Sequence, residues 1–203
     1  MHAVVLFESM YGNTEQIARA VADGLSSRLP ADTVDLVEVG TAPAALGDDV
    51  ELLVVGGPTH AFGMSRPKTR ADAAKQVGHS VVSAGIGQRE WLEALPAGSG
   101  RAVATFDTRV RRPRLPGSAA RGAAKRLRAL GFRSIARPES FWVSGSSGPL
   151  LDGEVGRARR WGEQLASAAA PAAAWEAMRE RHLHHIAVDV TAPAAACDDD
   201  RHG

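Results

Sequence analysis

Near the N-terminus, Glu8-Ser9-Met10-Tyr11-Gly12-Asn13-Thr14-Glu15 gathers two aliphatic hydroxyls, a glycine and an asparagine into one short stretch. It falls between an apolar run, Ala3–Phe7, and the first residues with helical spacing. The N–H groups of such a turn converge on one spot, and the helix behind it adds the positive end of its dipole. That chemistry is anion binding. The stretch lacks the lysine of a nucleoside-triphosphate loop and the three-glycine spacing of a dinucleotide fingerprint. A terminal phosphate monoester, held by hydroxyls and backbone without a charged side chain, is therefore favoured over a pyrophosphate.

Two further stretches carry reactive or charged groups. Gly57-Pro58-Thr59-His60 follows the apolar run Leu52–Val55, and Thr105-Phe106-Asp107-Thr108-Arg109 follows another. Cations crowd after both: Arg66, Lys68 and Arg70 in one case, Arg109, Arg111, Arg112 and Arg114 in the other. Arg121–Arg128 reads as the solvated face of a helix, whereas the 109–114 cluster, with Pro113 and Pro116, has no helical explanation. His182, His184 and His185 have no carboxylate or cysteine at ligand spacing in the same predicted element, so no metal site is expected. There is no serine nucleophile elbow. The single cysteine, Cys197, excludes an intrachain disulfide.

The elements that must position these loops follow from periodicity. Ala3–Phe7, Leu52–Val55 and Arg101–Phe106 are short, apolar and too brief for helices, the pattern of central parallel strands. Thr33–Val39 alternates like an edge strand, and Glu139–Ser144 is a last strand. Helices are expected over Thr14–Leu29, Arg66–Val77, Ser118–Leu130 and Leu150–Ala169, with a turn or two at Glu90–Leu95. Trp142 and Trp161 are expected in the core. Strands alternating with helices imply a parallel sheet with right-handed crossovers and a ligand site beyond the carboxyl ends of the strands.

The 203 residues suit one domain with an appendage. The expected division is a domain over 1–169 and an extension over 170–203, where Ala/Pro-rich sequence leads to a helical piece, Trp175–His185, a β-like run, Ile186–Val190, and a mobile last ten residues. The formal charge of +1 conceals segregation: residues 1–60 carry a net −7 and residues 107–128 a net +7. Neutral overall charge and the absence of aromatic interleaving in the Arg-rich stretch argue against nucleic acid. Neither a secretory signal nor a membrane span is legible, and a cytoplasmic protein is expected.

Ser9-Met10-Tyr11-Gly12-Asn13-Thr14 resembles the phosphate loop of flavodoxins, and Gly57-Pro58-Thr59-His60 resembles their flavin loop. The resemblance covers about residues 1–168 and is of the short-chain type. It implies an α/β fold, a doubly wound five-stranded parallel sheet of order 2-1-3-4-5 with helices on both faces, and FMN as cofactor. On that resemblance Ser9, Met10, Tyr11, Gly12, Asn13 and Thr14 would hold the phosphate. Pro58, Thr59, His60, Ala61, Phe62 and Gly63 would lie beside the isoalloxazine ring, with His60 where the family usually has tryptophan and Phe62 as an alternative aromatic face. Phe106, Asp107, Thr108 and Arg109 would form the third loop. That loop lacks the family's stacking tyrosine, since Tyr11 is the chain's only one. It is also basic where flavodoxins are usually acidic, which favours a reduced flavin anion and an anionic partner. Three readings result: an FMN electron carrier with no catalytic side chain, whose redox partner protein or nicotinamide nucleotide meets the basic loop 109–114; an FMN-dependent NAD(P)H:quinone-type oxidoreductase; or a cofactor-free interaction module.

Overall fold

In the computed structural model, residues 1–60, 62–77, 81–112 and 116–169 are described. Strands β1 (His2–Phe7), β2 (Val34–Glu38), β3 (Val50–Pro58), β4 (Ala102–Val110), β5 (Arg133–Ser134) and β6 (Glu139–Val143) alternate with helices α1 (Asn13–Ser26), α2 (Pro67–Val77), α3 (Gln88–Ala94), α4 (Ala119–Ala129) and α5 (Glu154–Ala169). All strand pairings are parallel. The order is β2-β1-β3-β4, and two segments fill the fifth position. β5 pairs with Ala102 and Val103 at the start of β4, and β6 pairs with Phe106–Val110 at its end. Pro138, which has no N–H for a ladder, stands in the gap between them. The expected order 2-1-3-4-5 is thus observed, with its last strand interrupted.

Alternate residues of the central strands face opposite sides. Ala3, Val5, Leu52, Val54 and Phe106 pack against Ile17, Val21 and Leu25 of α1 and Trp161 and Leu165 of α5. Val4, Leu6, Leu53, Val55 and Val103 face Trp91 and Leu92 of α3 and Ala123 and Leu127 of α4. Phe106, Phe141 and Trp161 meet edge to face at 5.9–6.1 Å, a geometry their ring quadrupoles favour. Helices α1 and α5 approach through Gly24, where a Cβ would come within 2.1 Å of the Arg159 carbonyl oxygen.

Between β2 and β3 the described chain makes only a single helical turn, Val39–Thr41, while α2 and α3 both lie between β3 and β4. The chain leaves β1 toward β2 on one side and adds β3 on the other. The switch point therefore lies between the carboxyl ends of β1 and β3.

Candidate functional site

The loop leaving β1 turns at Gly12, whose φ of +81° suits glycine, and enters α1 directly. Ser9 Oγ sits inside this turn and accepts from Gly12 N at 3.1 Å. In the first helical turn, Glu15 N donates to Ser9 Oγ at 3.4 Å and Gln16 N to the Gly12 carbonyl, whereas the N–H groups of Asn13 and Thr14 precede any partner carbonyl of their own helix. Donors so placed are suited to an anion.

The loop is fixed from three sides. Behind it, Val82 N and Ser83 N donate to the carbonyls of Met10 and Ser9, and Ser9 N donates to Ser83 Oγ. Toward β4, Thr14 Oγ1 bonds Thr108 Oγ1 at 2.7 Å. Toward the loop after β6, Asn13 Nδ2 donates to the Ser147 carbonyl at 3.0 Å. Tyr11 leans the other way: its hydroxyl reaches the Ala73 carbonyl and Gln76 Oε1 of α2, and burial pushes its pKa up.

A cavity of about 340 Å³ opens in front of this loop. Ser9, Met10, Tyr11, Asn13 and Thr14 line one end. Pro58, Thr59 and His60 line it from β3, and Thr108 and Arg109 from β4. The structure therefore brings residues from all three sequence-singled loops to one space. Gly12, Phe62 and Gly63 belong to the same loops but not to the wall; Ala61 lies outside the described residues.

Phe106 and Asp107 also stand apart from the cavity. β4 continues to Val110, so both lie within the strand rather than in a loop. Phe106 is fully buried among aromatic rings. Asp107, equally buried, is a junction: its Oδ2 accepts from Thr59 Oγ1 at 2.9 Å, Ser118 Oγ at 2.6 Å and Ala120 N at 3.1 Å. It thereby ties the β3 loop to the start of α4.

The sequence reading missed one wall. Thr69, Asp72, Ala73 and Gln76 of α2 line the cavity, as do Val110, Val143 and Ser146. The α2 residues share one stripe at helical spacing, and Ser146 belongs to the Ser/Gly-rich run after β6. Both signals are in the sequence, but nothing local aims them at this space.

Charge is arranged unevenly. Asp72 and Arg109 are the acid and the arginine of the described wall. Arg109 Nη1 donates to the Gly117 carbonyl at 2.6 Å, and its guanidinium carbon lies 6.0 Å from the centre of the Trp142 ring. Burial, with the nearby Arg70 charge, lowers the His60 pKa and favours the neutral ring. Arg70 itself is buried and points to Ser65 and to Glu90, 3.1 Å away, so it adds no free cation at the opening. Arg111 and Arg112 are exposed, and Arg114 lies outside the described residues, as do His182, His184, His185 and the whole of 170–203. Next to the anion loop, Glu8 is fully buried. Its Oε2 accepts from Gln88 N at 2.9 Å, its Oε1 has no partner among the described residues, and burial pushes its pKa up.

Comparison with known proteins agrees with this geometry. The flavodoxin family model matches residues 5–91. No curated protein sequence matches the chain significantly. Among solved structures, an archaeal flavodoxin is 17% identical, covers 83% of this chain and 99% of its own, and superposes with a TM-score of 0.56. A flavodoxin from Streptococcus pneumonia is 19% identical, with coverage of 82% and 99% and a TM-score of 0.54. An oxidised flavodoxin from Bacillus cereus is 14% identical, with coverage of 82% and 98% and a TM-score of 0.53. At such identities the structures speak for the fold alone: this chain has the flavodoxin fold, and its residues 5–91 are similar to the flavodoxin family.

Proposed function

We propose that this protein binds FMN through the Ser9–Thr14 loop and serves in cytoplasmic electron transfer, with residues 1–169 as the functional domain. The observation carrying the proposal is the convergence of first-turn N–H groups and the Ser9 hydroxyl at one end of a 340 Å³ cavity. That volume falls within the range of small-ligand sites, roughly 300–1,000 Å³. The donor set suits a phosphate dianion, and the longer wall of Pro58, Thr59, His60 and Arg109 suits a planar ring with polar edges.

Bound there, FMN would supply one- and two-electron redox chemistry, and the protein would contribute binding, orientation and electrostatics. Ser9 Oγ already accepts a backbone N–H, which leaves its hydrogen for a phosphate oxygen. The Thr14–Thr108 and Asn13–Ser147 bonds hold the loop against the strands that carry the ring site. Arg109 places positive charge in the wall, which favours negative charge gained there on reduction.

Titration of the protein with FMN, FAD and riboflavin tests the reading by flavin fluorescence. FMN binds tightest, because riboflavin lacks the phosphate and FAD holds it as a diester. Ser9→Ala removes a hydrogen bond to a charged group, about 1.5–3 kcal/mol, and weakens FMN by about 10- to 150-fold. Equal affinity for riboflavin and FMN defeats the proposal. A second reading, an FMN-dependent NAD(P)H oxidoreductase, is favoured by the exposed Arg111 and Arg112 beside the cavity strand. Anaerobic bleaching of the yellow protein by NADPH or NADH alone would select it. A protein that stays colourless with added FMN would instead be an interaction module.

A further inference from the structure

Phe62 is not used by the cavity, and its conformation is costly. The residue is 57% exposed, and its φ of +76° lies where a non-glycine residue costs about 1–3 kcal/mol. The surroundings enforce this. His60 and Gly63 exchange two backbone hydrogen bonds, at 2.8 and 2.9 Å, and close the turn. Gly117 lies so close behind it that a Cβ there would come within 1.8 Å of the Phe62 carbonyl oxygen. Two loops from different strands thus meet to hold an aromatic ring out in water.

Cations surround this tip. Arg66 and Lys68 open α2 just after the turn, and Arg111 and Arg112 follow β4, whose Thr108 is in register with Pro58. Arg121 stands beside Gly122, whose Cβ position lies 3.4 Å from Met64 Cε. All five are exposed, and among the described residues none is in an ion pair, whereas Arg19, Arg28, Arg101 and Arg157 elsewhere are paired. At the opposite edge of the sheet, β2 carries acids instead, Asp35 and Glu38.

We propose that Phe62, with Arg66, Lys68, Arg111, Arg112 and Arg121 around it, is the docking surface for an acidic electron-transfer protein. This rests on the electron-transfer reading above. A ring on a protruding turn fits into a partner's pocket, as aromatic anchors of protein interfaces do, whereas small ligands take concave sites. Exposed cations on three neighbouring segments steer and align an acidic surface.

The probe is an acidic [2Fe–2S] ferredoxin, with basic cytochrome c as the contrast, mixed with the full-length FMN-loaded protein in a stopped-flow instrument. Arg111→Glu with Arg112→Glu should slow reaction with ferredoxin at least tenfold at low salt, and the gap should close at high salt. Phe62→Ala should weaken ferredoxin binding at least tenfold at either salt, with FMN affinity unchanged. Phe62→Gly, which relieves the backbone, should melt no lower than the parent, so that a binding defect in it is not a folding defect. Titration of ferredoxin into the apoprotein separates the two readings: docking without FMN binding leaves the surface standing and removes the carrier. The proposal is overturned if the Phe62 variants bind ferredoxin like the parent, if Phe62→Ala loses FMN, if cytochrome c reacts as well and as salt-dependently as ferredoxin, or if the same variants instead impair direct reduction by NADPH.

Discussion

Replacing Asp107 should separate the loop framework from the cavity it supports. Its Oδ2 accepts three hydrogen bonds, from Thr59, Ser118 and Ala120, in a fully buried setting. Asp107→Ala strands all three donors. Each hydrogen bond to a charged group contributes about 1.5–3 kcal/mol, and the three share one acceptor, so the loss is sub-additive; about 3–5 kcal/mol is expected. Asp107→Asn behaves differently. Its Oδ1 can take the place of Oδ2 and keep the donors, while its amide nitrogen occupies the Oδ1 position, which has no partner among the described residues. What is lost is the charge and its attraction to the N-terminus of α4, together about 1–2 kcal/mol. With a urea slope of about 2 kcal/mol/M, the midpoint falls by about 1.5–2.5 M for alanine and about 0.5–1 M for asparagine. Thr59 lines the cavity, so the alanine variant should also weaken FMN more than the asparagine variant does. Equal losses in the two variants, or an alanine loss below about 1 kcal/mol, would refute the account of Asp107 as a charged junction.

Three further outcomes are expected. Burial raises the Glu8 pKa above 4.5, so the folded state holds this proton more tightly; the Glu8 contribution falls as pH rises from the unfolded value through the folded one, and Glu8→Gln should flatten that fall in urea-measured stability above pH 4.5. His2 is raised above 6.5, chiefly by Asp49, against the lowering effect of burial and with added help from Asp35; its stabilisation is full below pH 6.5 and lost as pH climbs through the raised value, so His2→Gln should differ from the parent slightly at pH 6 and not at pH 9. Truncation after Ala169 should leave a folded domain that binds FMN, because α5 ends there; aggregation or loss of FMN in gel filtration and titration would move the boundary.

The turn between β1 and α1 is legible because every signal for it is local: an apolar run, a glycine at the turn, then helical spacing. The sheet order followed from alternation of strands and helices together with the resemblance. The third loop was placed too early for an equally physical reason. Asp107 and Arg109 carry charges that read as the end of a strand at Phe106, yet β4 runs on to Val110. Asp107 is tolerated there because three donors meet its buried oxygen. Arg70 misled in the same way: a cation after a loop suggests an exposed charge, but Glu90, twenty residues on, pairs with it under the fold. The α2 wall was invisible because its stripe of Thr69, Asp72, Ala73 and Gln76 is not apolar, and what ties it to the β1 loop is long-range: the Tyr11 hydroxyl on Ala73 and Gln76, and the return of residues 82–83.

In place of the tryptophan and tyrosine that flavodoxins usually carry, the cavity has other residues. The only tyrosine is on the loop after β1, turned toward α2 with its hydroxyl bonded there, and it lines the cavity beside α2. From β4 the wall is instead a guanidinium: Arg109 is held by the Gly117 carbonyl and backed by Trp142, its register partner on β6. A guanidinium plane stacks on aromatic systems as a ring does, and it adds charge and directed donors that a tyrosine lacks. His60, which also lines the cavity, is favoured as a neutral ring by burial and by Arg70. On the FMN reading the isoalloxazine would therefore meet a neutral imidazole on the β3 side and a cation on the β4 side. Such a site trades aromatic cover for electrostatic stabilisation of the reduced cofactor.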